Sequence, residues 1–164
     1  MFRRILVPID GSHASNRGLD QAIKLAADQG AALCILHVID EFVVTQDLNV
    51  AVYAPPSYID EYLDALRDAG KAMLAKAEAK AGKLGIKSQA VLTKTMGNRV
   101  ADIIIDRARK WRADLIVIGT HGRRGLTRLV MGSDAEHVVR YSPVPVLLVR
   151  APDIKRARAR RKTA

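Results

Sequence analysis

Asp114-Leu115-Ile116-Val117-Ile118-Gly119-Thr120-His121-Gly122-Arg123-Arg124-Gly125-Leu126-Thr127-Arg128-Leu129-Val130-Met131-Gly132-Ser133-Asp134-Ala135-Glu136 runs through three kinds of segment. Residues 114–119 are a short apolar run rich in β-branched side chains, as in a strand buried on both faces. Ser133-Asp134-Ala135-Glu136 has the spacing of a capping box, which predicts a helix over 133–141 with Ser133 as N-cap. Pro143 stands just past its end. A strand-to-helix link ordinarily takes about 2–6 residues, so the stretch 120–131 has been lengthened for a purpose.

Outward from this stretch the same alternation continues. Residues 4–9, 32–39, 87–93 and 145–150 are further strand-like runs, each bounded by turn or charge signals. Between them, 12–29 places Leu19, Ile23 and Ala26 on one helix face, with Ser12 to cap it and Gly30 to stop it. Residues 57–84 form a long Ala/Lys/Glu-rich helix ended by Gly85, and 98–111 puts Val100, Ile103, Ile104 and Ala108 on one side. This order predicts an α/β fold: a single domain over residues 1–150, with a five-stranded parallel sheet, right-handed crossovers and helices on both faces. The connection at 41–56, which contains Pro55-Pro56, is unusually long, and such loops are commonly functional.

The chain has 164 residues, 49% hydrophobic and 27% charged, an ordinary globular composition. Aromatics are 4%, so the core must come from Ile, Leu, Val and Ala. Of the net charge of +10, half lies in the tail 151–164, through Lys155, Arg156, Arg158, Arg160, Arg161 and Lys162 against Asp153. The body is only mildly basic, so the charge does not by itself mark a nucleic-acid-binding domain. The tail reads as a disordered, solvated segment; contact with nucleic acid or an anionic surface is the weaker alternative, since interleaved aromatics are absent. The single Cys34 cannot form an internal disulfide and reads as a buried structural thiol. No apolar stretch reaches the ~20 residues of a membrane span. The apolar start is cut short by Asp10 and has no small-residue cleavage site, so a cytoplasmic location is expected.

The lengthened link begins where a strand ends and finishes at a helix start, the edge at which open α/β sheets hold ligands. Its glycines let backbone N–H groups approach an anion, the helix start adds free N–H groups and a positive dipole end, and Arg123, Arg124 and Ser133 add charge and a hydroxyl. All of these favour phosphate. It is neither a Walker A loop nor the Gly-x-Gly-x-x-Gly fingerprint. On local chemistry alone, a plain turn with a helix cap would account for it equally well.

The spacing Gly119-x2-Gly122-x9-Gly132-Ser133 resembles the nucleotide motif of the universal stress protein family. The flanks resemble it too: Ile5-Leu6-Val7-Pro8-Ile9-Asp10-Gly11-Ser12 its first strand and turn, His37-Val38-Ile39 the end of its second strand, and Pro143-Val144-Pro145-Val146-Leu147-Leu148-Val149 its closing strand. The resemblance runs from about Arg3 to Arg150. It implies a flavodoxin-like or Rossmann-like domain, ATP as ligand, Mg or Mn bound through the phosphates, and a homodimer through the last strand. Carried over by position, Pro8, Ile9 and Val38 would flank the adenine and Asp10 would hold the ribose or adenine side. Gly119, Thr120, His121, Gly122, Arg123, Arg124, Gly125, Gly132, Ser133, Asp134 and Ala135 complete the candidate binding set around the phosphates and ribose.

Other chemistry finds little support. Asp10 would also serve as an Asx turn or helix cap. His13, His37, His121 and His137 have no metal-ligand spacing; His37 reads as a hydrogen-bonded core histidine, and His121 as a phosphate or ribose contact. No nucleophile elbow, carboxylate pair or catalytic glutamine can be assigned. The expected function is a nucleotide-dependent stress-response regulator or signalling module. The alternatives are a slow ATPase or a nucleotidyl or phosphoryl transferase, and a dimeric interaction protein with a vestigial pocket.

Overall fold

The apolar runs pair as parallel strands, and the amphipathic segments between them cover the sheet. The computed structural model describes residues 1–40, 56–120, 122 and 131–150. The strands are β1 Arg4–Pro8, β2 Ala32–Ile39, β3 Ser88–Lys94, β4 Leu115–Gly119 and β5 Val146–Val149; the helices are α1 His13–Gln29, α2 Pro56–Gly82, α3 Val100–Trp111 and α4 Ser133–Tyr141. The expected long connection at 41–56 falls, except for its last residue, outside the described residues, as does the basic tail.

All strand pairs are parallel, in the order β3-β2-β1-β4-β5. The chain winds outward from β1 through β2 to β3, then crosses back to β4 and β5. Right-handed crossovers in opposite directions put the helices on opposite faces. On one face α1 and α2 bury Leu19, Ile23, Leu74 and Ala77 against Ile5, Val7, Leu33 and Ile35. On the other, α3 and α4 bury Ile104, Ala108, Ala135 and Val138 against Leu6, Leu36, Ile116 and Ile118. The period-2 alternation of each strand divides the two cores.

The winding reverses between β1 and β4. Their register is Ile5↔Leu115 and Leu6↔Ile116, whereas Val7 and Pro8 pair with Ile35 and Leu36 of β2. Pro8 has no N–H to offer a further neighbour. A crevice therefore opens at the carboxyl edge, at the topological switch point.

Two sequence expectations shift. The capping box at Ser133 does not form. Gly132 is the N-cap of α4 and accepts from the Glu136 N–H at 2.9 Å, while the Glu136 carboxylate pairs with Arg140 at 3.1 Å. The helix starts one residue earlier than the box requires, which leaves Ser133 in the first turn. The helix at 57–84 ends at Gly82, and Gly85 (φ +68°) makes the turn beyond it.

Candidate functional site

Three chain segments meet at the crevice, and local hydrogen bonds set each one. After β1, Ile9 N–H donates to the Leu36 carbonyl at 2.8 Å, and Gly11 turns the chain at φ +81°. The Asp10 N–H donates to Ser15 Oγ at 3.2 Å, and Asp10 Oδ1 accepts from the Ser12 N–H at 2.9 Å. Ser12 Oγ accepts from the Ser15 N–H at 3.1 Å and caps α1. The expected Asx turn and helix cap are thus present. They hold the Asp10 carboxylate at the crevice.

The glycine loop leaves from β4. Gly119 lies beneath the first turn of α1: a β-carbon there would stand 2.8 Å from the Ala14 carbonyl carbon and 2.9 Å from Ser15 N. Thr120 N–H donates to the Val149 carbonyl at 3.0 Å, and Gly132 N–H donates to the Thr120 carbonyl at 2.9 Å. That last bond ties the two ends of the lengthened link together. It brings the start of α4, whose first N–H groups have no acceptor within the helix, to the end of β4.

These segments enclose a cavity of about 540 Å³, inside the usual range of small-molecule sites, about 300–1,000 Å³. Every described member of the candidate set lines it: Pro8, Ile9, Asp10 and Val38 from the first two strands, Gly119, Thr120 and Gly122 from the loop, and Gly132, Ser133, Asp134 and Ala135 from α4. His121, Arg123, Arg124 and Gly125 lie outside the described residues. At one end the walls are backbone and short polar side chains; at the other they are apolar.

That apolar wall went unrecognised in the sequence. Tyr62, Leu66, Ala69 and Gly70 of α2 line it, and Val100 and Ile104 of α3 line the cavity as well. Their spacing continues the stripe that Leu74, Ala77 and Ala81 bury against the sheet, so the signal was present. The segment read only as a long Ala/Lys/Glu-rich helix, because nothing in the sequence says that α2 overhangs the sheet edge.

His37 is buried, with Nδ1 2.7 Å from the Ile9 carbonyl oxygen, which agrees with the reading of a hydrogen-bonded core histidine. His137 pairs with Asp102 at 2.9 Å across α3 and α4. Among the described residues no three His, Cys, Asp or Glu side chains come together as a metal site, and no helix is long and apolar enough to cross a membrane.

A family model described as "Universal stress protein family" matches residues 1–150. Universal stress protein YxiE of Bacillus subtilis is 38% identical over 151 residues, covering 92% of this chain and all of its own. Among solved structures, a universal stress protein family member from Burkholderia pseudomallei is 32% identical with a TM-score of 0.70, covering 90% of this chain and 96% of its own. A universal stress protein in complex with cAMP is 25% identical with a TM-score of 0.62, covering 91% and 97%.

Proposed function

This chain belongs to the universal stress protein family, and from that premise we propose that it binds ATP in the crevice between β1 and β4 and acts as a nucleotide-dependent stress-response regulator or signalling module. The observation that carries this is the polar end of the cavity. There Gly119, Gly122, Gly132 and the first turn of α4 converge beside Asp10. Backbone N–H groups at a helix start suit phosphate, and a carboxylate nearby suits a ribose hydroxyl or an amino group. The relative in complex with cAMP supports an adenine nucleotide.

In this proposal the base lies toward Pro8, Ile9 and Val38, and Asp10 takes the ribose or adenine side. Gly119, Thr120, Gly122, Gly132, Ser133, Asp134 and Ala135, with His121, Arg123, Arg124 and Gly125, surround the phosphates and ribose. Mg or Mn would be held through the phosphates. The protein works as a cytoplasmic homodimer joined along β5. It is a binding module rather than an enzyme, at most a slow ATPase.

A regulator of this kind needs two states with different affinity for the ligand. Mass spectrometry of gently purified protein tests for retained nucleotide, and calorimetry with ATP, ADP and AMP tests the switch. Equal affinities would remove the basis for phosphate gating, and no binding of any of them would end the nucleotide proposal. Single-turnover hydrolysis with metal separates regulator from enzyme.

A further inference from the structure

The sheet ends in two edge strands, β3 and β5, and the fold treats them differently. In a parallel strand, successive residues turn their N–H and C=O groups alternately to one neighbour and to the other. On β3 the odd positions face β2: Leu33 N–H donates to the Lys87 carbonyl at 2.9 Å, and Thr95 N–H donates to the Ile39 carbonyl at 3.0 Å. Ala90, at an even position between them, therefore turns its N–H to the open side, where an added strand would dock. That N–H is already taken. It donates to Glu78 Oε1 of α2 at 2.9 Å.

The packing of α2 brings the carboxylate there. Leu74, Ala77 and Ala81 bury against the sheet, and Ala90 and Leu92 of β3 pack against the same core. Glu78 stands one residue past Ala77, at the margin of that buried stripe, and its side chain reaches the sheet edge. A carboxylate accepting from a backbone N–H makes a charge-assisted bond. It has no proton to give, so an incoming carbonyl meets an acceptor in place of the N–H it needs. Leaving Glu78 in place under a new strand would bury its charge without water, which is costly.

The other edge differs. Ile116 N–H donates to the Pro145 carbonyl and Thr120 N–H to the Val149 carbonyl, both at 3.0 Å. Val146 and Leu148 of β5 therefore turn their N–H groups outward, and among the described residues no side chain bonds to either. Resting on the homodimer reading above, we propose that Glu78 keeps assembly finite: it closes the β3 edge, so that a second copy of this chain pairs at β5 alone. A dimer joined along β5 is one continuous sheet with β3 at both ends. With those ends open, each dimer would pair with the next and the sheet would grow without closing. A charged side chain at the edge is a common means of preventing this.

Light scattering across the micromolar range tests this, with circular dichroism to check folding. The wild type should hold the dimer mass at every concentration. Glu78→Ala should form larger species whose mean mass rises with concentration, to at least about twice that of the wild type. Ala90→Pro removes the same outward N–H, at an edge position that proline tolerates, so Glu78→Ala combined with Ala90→Pro should return to the wild-type mass. A folded Glu78→Ala protein of wild-type mass overturns the proposal, and so does growth that persists in the double variant. A monomeric wild type sinks the homodimer reading by itself. Glu78→Ala should then pair once, to a dimer, and a variant that stays monomeric overturns the role of Glu78 as well. Hydrogen exchange on the wild type covers the case of a variant that does not fold. The Ala90 amide should be protected although it faces away from β2, and an Ala90 amide that exchanges as freely as an unbonded one overturns the inference.

Discussion

The α-carbon of Gly122 faces the carboxylate of Asp10 so closely that a β-carbon there would stand 2.8 Å from Oδ2. The other oxygen, Oδ1, is tied to the Ser12 N–H at 2.9 Å, so the carboxylate cannot swing aside without loosening the turn that starts α1. Loop and first strand thus contest one small volume at the mouth of the cavity. Gly122 is small there because Asp10 fills the space, in addition to any approach by a phosphate.

Gly122→Val should therefore act in two ways, by displacing Asp10 and by crowding the phosphates. We expect ATP affinity to fall at least about tenfold in a folded protein. We also expect the losses from Gly122→Val and Asp10→Ala to be non-additive by about 0.5–3 kcal/mol, as for residues in contact. Calorimetry on the two single variants and the double variant measures this. Full additivity would mean that the valine acts on the ligand alone, and unchanged affinity in a folded Gly122→Val protein would count against the loop as the phosphate site.

Two glycines near the β4 end should respond oppositely to alanine. At Gly119 the new methyl would press on main-chain atoms of Ala14 and Ser15 at 2.8 and 2.9 Å, which cannot shift without moving α1. Overpacking of this kind costs about 1–3 kcal/mol. At Gly18, inside α1, the methyl would meet Gly119 N at an ordinary 3.6 Å, and alanine should gain about 0.5–1 kcal/mol in a helix interior. Urea denaturation should show a lower midpoint for Gly119→Ala and an equal or higher one for Gly18→Ala. A neutral Gly119→Ala would mean that α1 yields more readily than its contacts suggest.

This contrast bears on what the sequence could show. The strands were legible because a sheet buried on both faces demands unbroken apolar runs, and all five were placed within about two residues at each end. The face of α1 followed from its spacing; in α3 the expected Ile103 stays outside the core, and Ile105 joins Ile104 and Ala108 there instead. At the site, the glycine motif pointed to the residues that line the polar end, but it could not say why each is glycine. Gly119 answers to α1 and Gly122 to Asp10, contacts between segments far apart in the chain. Gly70 drew no notice as a helical residue, since its partner His37 lies on β2. The capping box failed by a single residue: the Gly132–Thr120 bond that closes the loop makes Gly132 the residue that enters α4. A local motif has no means of registering that tie.

The edge strand gives a test of assembly. Among the described residues β5 has a strand partner on one side only, and Leu147 and Leu148 remain 38% and 37% exposed. Such an edge invites pairing with its copy. Light scattering at micromolar concentration should give twice the chain mass of 17.9 kDa, and Leu148→Lys should shift the population toward monomer by placing like charges across the two-fold axis. A monomeric wild type would refute the homodimer.

Cys34 supplies a test that depends on neither ligand nor partner. It is fully buried in β2. Burial pushes its thiol from 9.0 up to about 11, against the opposing pull of Arg107 and Arg4. The folded state therefore keeps its proton in a range where the unfolded chain releases it. By linkage this contribution to stability is fully present below pH 9 and is lost progressively as pH rises toward 11. Replacing the thiol by Cys34→Ala removes that pH dependence while costing some core packing. The stability gap between wild type and variant should be constant below pH 9 and should shift against the wild type by about 1–3 kcal/mol by pH 11. Denaturation series at matched ionic strength would measure it, and a gap constant across this window would mean that the thiol ionises as freely in the fold as outside it.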